Sequence, residues 1–159
     1  MNAAEKVLDR NTLKEKVDSL RKAGKRVVFT NGCFDLLHIG HVRYLQEARK
    51  QGDCLVVAVN SDSSVKQIKG SDRPKIPEEE RAEVLAALGC VDWVTIFAEP
   101  DPLALIRLLK PDVLVKGTDW SEEEIVGAPE VREAGGQVLR IKLEPGSSTS
   151  ALIKRIRST

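Results

Sequence analysis

Five short apolar runs rich in β-branched residues constrain this chain most: Val27 to Thr30, Leu55 to Asn60, Trp93 to Phe97, Val113 to Lys116 and Val138 to Ile141. Each has the length of a buried strand and is too short for a helix. Helical spacing fills the intervals, with Val42/Leu45/Ala48, then Val84/Leu85/Leu88, then Leu103/Ile106/Leu109, and Ala151 to Ile156 closes the chain. Gly52, Gly89 and Gly135/Gly136 follow helical stretches, and Pro77, Pro102 and Pro129 stand near helix starts, the positions these residues favour. Strand and helix alternate, so the expected fold is α/β: a Rossmann-like, doubly wound, five-stranded parallel sheet in one domain. Thr12 to Lys22 reads as an added N-terminal helix, so residues 1–24 are an N-terminal helical extension and 25–159 the main domain.

Composition narrows the classes of function. A length of 159 residues suits one core, and a formal net charge of +1 supplies no field that would gather nucleic acid or an anionic membrane. Neither is an expected partner, so anion binding must come from a local cluster. The N-terminus lacks an apolar leader, no run reaches the length of a membrane span, and Cys33, Cys54 and Cys90 lack the spacing of a zinc site or disulfide framework. The expected location is the cytoplasm.

In a doubly wound sheet ligands bind beyond the carboxyl ends of the strands, where strand order reverses. The first strand runs into Thr30-Asn31-Gly32-Cys33-Phe34-Asp35-Leu36-Leu37-His38-Ile39-Gly40-His41. His38 and His41 are three apart, so at a helix start they share the face where free N–H groups already favour an anion. Gly32 permits a tight turn and Gly40 a close approach of phosphate to backbone. The alternative is one histidine capping the helix and the other packed in the core. Because these are the only two histidines in the chain, a functional pair is the stronger reading.

The other strand ends add polar groups. Lys66, Lys69, Arg73 and Lys75, interrupted by Gly70 and Pro74, follow the second strand as either a solvated basic loop or a mobile phosphate clamp. Lys116-Gly117-Thr118-Asp119-Trp120 follows the fourth strand, and Ser147-Ser148-Thr149-Ser150 precedes the last helix, suited to capping or to phosphate oxygens. Cys33 beside Asp35 and His38 offers a competing thiol nucleophile, although transfer at phosphorus needs no covalent enzyme intermediate.

Thr30 to His41, Val57 to Asp62, Lys116 to Trp120 and Ser147 to Ser150 together resemble the cytidylyltransferase-like nucleotidyltransferases. Within that family the likeness is to the adenylyltransferases that form ADP-heptose, on Phe29 to Asp35, Ala58 to Asp62 and Asp112 to Gly117. The resemblance implies ATP and D-glycero-β-D-manno-heptose 1-phosphate as substrates, Mg²⁺ with the ATP, a product used in lipopolysaccharide core assembly, and a homo-oligomer. A separate kinase acting on heptose 7-phosphate would supply the acceptor.

Carried onto these positions, the resemblance makes His38, His41, Lys69 and Arg73 catalytic. Thr30, Asn31, Gly32, Cys33, Phe34, Gly40, Lys116, Gly117, Asp119, Trp120, Ser148, Thr149 and Ser150 would frame the nucleotide; Asn60, Asp62, Lys66 and Arg81 would hold the acceptor; Asp35 would place the metal, directly or through water. Thr118, Trp120 and Ser150 depart from the family pattern, which often has Gly, Tyr and Thr there. Glycerol-3-phosphate cytidylyltransferase shares the histidine motif and is the competing substrate reading; a non-catalytic nucleotide-binding regulator is another. Class I aminoacyl-tRNA synthetases share His-Ile-Gly-His, but this chain has no Lys-Met-Ser-Lys-Ser segment and no basic excess.

Overall fold

The computed structural model describes residues 1–159. Five strands, β1 (Val27–Gly32), β2 (Cys54–Asn60), β3 (Trp93–Phe97), β4 (Val113–Gly117) and β5 (Gln137–Ile141), form one all-parallel sheet in the order β3-β2-β1-β4-β5. The expected α/β, doubly wound architecture is therefore present. Its seven helices are α1 (Arg10–Lys22), α2 (Ile39–Arg49), α3 (Asp62–Lys69), α4 (Glu78–Ala86), α5 (Leu103–Leu109), α6 (Ala128–Glu133) and α7 (Thr149–Arg157).

Side-chain alternation along β1 divides the core. Val27 and Phe29 face a layer with Leu13 and Val17 of α1, Ile106 of α5 and Val131 of α6; Val28 faces Leu45 of α2 and Leu85 of α4. Each such side chain contributes about 1.5–3 kcal/mol through burial. The added helix therefore helps cover one face of the sheet. The segment before it guards the outer edge of β3: Val7 bridges Val94, the Leu8 N–H donates to the Val94 carbonyl at 2.8 Å, and Lys6 Nζ donates to the carbonyls of Ala86 and Val91 at 3.0 and 2.9 Å. An open strand edge is thereby closed to other chains.

Strand order reverses between β1 and β4, and there the two strands separate. They pair at Val28 with Val113 and Phe29 with Leu114 and no further, whereas β1 stays paired with β2 to Gly32. Side chains take over where the ladder stops. Thr30 Oγ1 and the Tyr44 hydroxyl lie 2.8 Å apart and 2.9 and 3.1 Å from the Val115 carbonyl, so one hydroxyl donates to the other and the second donates to the acceptor the splayed strand leaves. The opening becomes a crevice at the carboxyl edge of the sheet.

Helix α3 departs from expectation, because the stretch before Gly70 reads as loop. Ser61 Oγ accepts the Ser64 N–H at 3.2 Å as a cap, and Val65 is fully buried, so one cap and one anchor turn polar residues into a helix. No helix is long and apolar enough to cross a membrane.

Candidate functional site

The crevice holds about 510 Å³, within the range of a small-ligand site, and receives the ends of β1, β2 and β4 together with the starts of α2 and α7. The loop after β1 enters it under strain. Phe34 takes φ +47°, the left-handed region that costs a non-glycine residue on the order of 1 kcal/mol. Its ring folds back so that a Cβ on Gly32 would sit 3.0 Å from it.

The histidines cap one another. His38 Nδ1 accepts the Gly40 N–H at 3.1 Å, His41 Nδ1 accepts the His38 N–H at 3.3 Å, and the rings stack with centroids 3.9 Å apart. A ring nitrogen that accepts a backbone N–H carries no proton, so each neutral imidazole keeps its proton on Nε2. Burial lowers the pKa of both; for His41, burial and the neighbouring His38 bring it to about 4. At neutral pH the pair is uncharged and presents Nε2–H donors from a helix N-terminus. The rings that cap the helix start also line the crevice. A Cβ on Gly40 would meet the His38 ring at 2.9 Å and Ser147 Cβ at 3.0 Å. The bareness of Gly40 lets the segment before α7 lie against the start of α2, and Thr149 Oγ1 secures that approach by donating to the Leu36 carbonyl at 3.1 Å.

Most of the expected residues line this crevice: Asn31, Gly32, Cys33, Phe34, Asp35, His38, Gly40 and His41 from the first loop; Asn60, Lys69 and Arg73 beyond β2; Lys116, Gly117, Asp119 and Trp120 beyond β4; and Ser148, Thr149 and Ser150 at α7. Lys116 is largely buried. Burial lowers its pKa while Asp119 opposes that shift, and its ammonium lies 5.2 Å above the Trp120 ring with only long contacts, 3.3–3.4 Å, to Asn31. Arg73 spends Nε on Asp35 at 2.6 Å, and Lys69 Nζ and the Arg73 terminal nitrogens have no protein acceptor. These cations suit an incoming polyphosphate.

Four expected residues lie elsewhere, and one in the crevice has a different task. Thr30 is fully buried beneath the sheet edge, held by Tyr44 and Val115. Lys66 projects into solvent from α3, and Asp62 turns to Arg81. Arg81, expected against the acceptor, is buried and hydrogen-bonds only protein oxygens. Asp35, expected at a metal, has its carboxylate occupied by Arg73 Nε and the N–H groups of Lys75 and Ile76. Burial would raise its pKa, but those two amides and Arg73 together hold it below the usual carboxylate value. No three His, Cys, Asp or Glu side chains gather into a metal cage, so the donor set does not fit a protein-held cation at Asp35.

The segment after α3 is fastened at several points, because Asp35 takes its Arg73, Lys75 and Ile76 donors and Asp72 meets Arg157 at 3.3 Å. Cys33 offers no thiolate. Burial raises its pKa even against nearby Lys69, Arg81 and Arg73, and both histidine Nδ1 atoms are already taken. Sequence reasoning passed over Tyr44 and Pro100 to Pro102 as site residues, all at the crevice. Position after β3 was the available signal for the prolines, since strand carboxyl ends face the site.

Two neutral Nε2–H donors, two helix starts and unpaired cations at a switch-point crevice have the chemistry to hold the phosphates of a nucleotide. The family profile described as Cytidylyltransferase-like matches residues 29–155, and the chain belongs to that family: it is a nucleotidyltransferase. It is similar to the bifunctional protein HldE of Syntrophotalea carbinolica, 52% identical over 151 residues (95% of this chain and 31% of that protein). HldE of Photorhabdus laumondii is 55% identical over 146 residues, 92% of this chain and 31% of that protein. The chain thus spans about a third of the length of the curated relatives it matches. The crystal structure of the lipopolysaccharide core biosynthesis protein from Thermoplasma volcanium superposes with a TM-score of 0.63 at 32% identity, covering 76% of this chain and 98% of that one. Pantoate-beta-alanine ligase from Francisella tularensis, solved with beta-gamma ATP and beta-alanine, shares the fold at 15% identity, with a TM-score of 0.62 over 94% of this chain and 72% of that chain.

Proposed function

We propose that the chain transfers AMP from ATP to D-glycero-β-D-manno-heptose 1-phosphate, giving ADP-heptose and pyrophosphate for lipopolysaccharide core synthesis. The observation that carries the transfer chemistry is the mutual capping of His38 and His41, which fixes two Nε2–H donors at the start of α2. The HldE relatives and the Thermoplasma volcanium lipopolysaccharide core protein support the choice of sugar phosphate.

In this reading a phosphate oxygen of the acceptor attacks the α-phosphorus in line. The bond from that phosphorus to the oxygen bridging the β-phosphorus breaks, and pyrophosphate leaves with the electron pair. His38 and His41 donate to the non-bridging oxygens as charge grows there; each preorganised donor of this kind is worth about 10²–10³ in rate. Lys69 and the free terminal nitrogens of Arg73 take the charge of the departing pyrophosphate. Lys116 balances phosphate charge near Asn31, and Gly117, Asp119, Trp120 and Ser148 to Ser150 frame the nucleotide. Magnesium, brought in with ATP, would supply charge neutralisation at the phosphates.

Pyrophosphate release measured for ATP and CTP, each crossed with heptose 1-phosphate and glycerol 3-phosphate, tests the assignment. Turnover with ATP and heptose 1-phosphate is expected. Turnover restricted to CTP with glycerol 3-phosphate would replace the substrates, and no release with any pair would favour a nucleotide-binding regulator.

A further inference from the structure

Ile76 is held at both faces of its backbone. Its N–H donates to Asp35 Oδ1 at 3.0 Å, and its carbonyl accepts Arg81 Nε at 2.8 Å. Asp35 lies three residues before His38, and its carboxylate also takes Arg73 Nε at 2.6 Å and the Lys75 N–H at 2.8 Å. Arg81 reaches back to the same loop from the other side: Nη1 donates to the carbonyls of Cys33 at 2.6 Å and Asn60 at 2.9 Å, and Nη2 meets Asp62 Oδ1 at 2.8 Å. The Asp35 carboxylate and the Arg81 guanidinium are both closed to solvent, at 0% side-chain exposure.

A buried guanidinium is costly unless its donors are matched, and an apolar side chain could fill the same volume. What the planar fork adds is direction, since its donors fix three separate backbone carbonyls in one geometry. Those carbonyls belong to the histidine loop, the end of β2 and the segment carrying Arg73. Asp35 completes the frame by using only Nε of Arg73, which leaves the terminal nitrogens free at the crevice. The histidine loop and the segment from Arg73 to Ile76 are thus joined by the bonds of Asp35 to Arg73, Lys75 and Ile76 and by the Arg81 bridge from Ile76 to Cys33.

We propose that Asp35 and Arg81 are positioning residues which, by pinning Ile76 from both sides and holding Arg73 Nε, set the Arg73 terminal nitrogens at the distance from His38 and His41 that nucleotidyl transfer requires. The proposal rests on the transfer reading given above. Neither residue touches substrate. Their effect passes through Arg73, so their loss is felt most where charge develops on the leaving group. A misplacement of about 1 Å is enough to cost on the order of 100-fold in rate.

Two conservative variants separate positioning from folding. Asp35→Asn keeps an acceptor for the amides but turns a donor toward Arg73, and Arg81→Lys keeps the charge but cannot span the carbonyls. The first readout needs no turnover: hydrogen exchange of the Lys75 and Ile76 amides, slow in the ligand-free wild type and about tenfold or more faster in Asp35→Asn. The second is steady-state kinetics with ATP, its β,γ-difluoromethylene analogue and its β,γ-methylene analogue, whose leaving groups differ in basicity. In both variants kcat with ATP should fall about 30- to 100-fold with nucleotide Kd within about threefold. The difluoromethylene-to-methylene rate ratio should widen by about threefold or more, because a misplaced Arg73 leaves the leaving group to carry its own charge. A loss equal for all three nucleotides, or an Ile76 amide that exchanges freely in the wild type, would overturn the proposal. A wild type that releases no pyrophosphate would refute the transfer reading and this catalytic role with it, while the exchange data still decide whether Ile76 is pinned.

Discussion

His41 performs two tasks with two nitrogens, and each can be removed alone. Its Nδ1 accepts the His38 N–H at 3.3 Å, a long bond, so losing that cap should cost about 0.5 kcal/mol, the low end for such caps. In the proposed transfer its Nε2–H is the donor to the reacting phosphate, and losing one such donor costs about 2.7–4 kcal/mol of transition-state stabilisation, or 10²–10³ in kcat. Asparagine places its carbonyl oxygen where Nδ1 stood, so His41→Asn keeps the cap and loses the donor. Glutamine places its amide nitrogen near the old Nε2, so His41→Gln keeps the donor and loses the cap. Pyrophosphate-release kinetics with urea unfolding of both proteins should show His41→Asn about 100- to 1000-fold slower at nearly unchanged stability, and His41→Gln within about tenfold of wild type but slightly less stable. If His41→Asn kept kcat within about threefold, or if the two variants lost equal activity, the donor assignment would be wrong and the imidazole would matter only for shape.

Three further outcomes follow from the same geometry. The pKa of His41 lies at about 4 folded against 6.5 unfolded, so its contribution to stability is complete above pH 6.5 and is lost as pH falls toward 4; wild-type Tm should fall relative to His41→Asn across that window, and parallel curves would contradict the burial. Arg73→Ala should lower kcat by about 30-fold or more while ATP Kd changes by less than about fivefold. Lys75→Ala should matter less, because its ammonium lies 3.9 Å from Asp72 and it is the Lys75 N–H that reaches Asp35; equal effects in the two variants would dismiss the specific role of Arg73. Gly40→Ala should destabilise by about 1–3 kcal/mol and slow turnover at least about tenfold, since the new methyl meets the His38 ring at 2.9 Å and Ser147 at 3.0 Å; a stable, fully active variant would show that the starts of α2 and α7 need not touch.

The sheet was legible because buried parallel strands must be apolar throughout, and β1 to β4 read that way between helical intervals. Helix α3 was not, since Val65 and Ile68 are its only large apolar residues and its cap is one serine. The crevice was legible wherever a polar residue follows a strand, which located the histidines, Lys116 and the α7 start. Direction was hidden. Nothing in the string tells that Thr30 turns to Val115, that Asp35 takes two backbone amides, or that Arg81 meets three backbone carbonyls, because a main-chain partner leaves no mark in sequence. Tyr44 was missed for a related reason: in the middle of α2 it reads as packing, and only the splay of β1 from β4 makes its hydroxyl a partner for Val115.

The central claim is direct transfer at the α-phosphorus by preorganised donors with no covalent enzyme intermediate, and the stereochemical course at that phosphorus tests it most directly. Turnover of one diastereomer of adenosine 5′-(1-thiotriphosphate), with the α-phosphorus configuration of the product determined, should show inversion, as one in-line displacement requires. Cys33→Ser should give the same result at similar rate, since its thiol is half-buried with a raised pKa and is bonded to neither histidine. Retention of configuration would mean two displacements through an enzyme-bound nucleotide and would contradict the account.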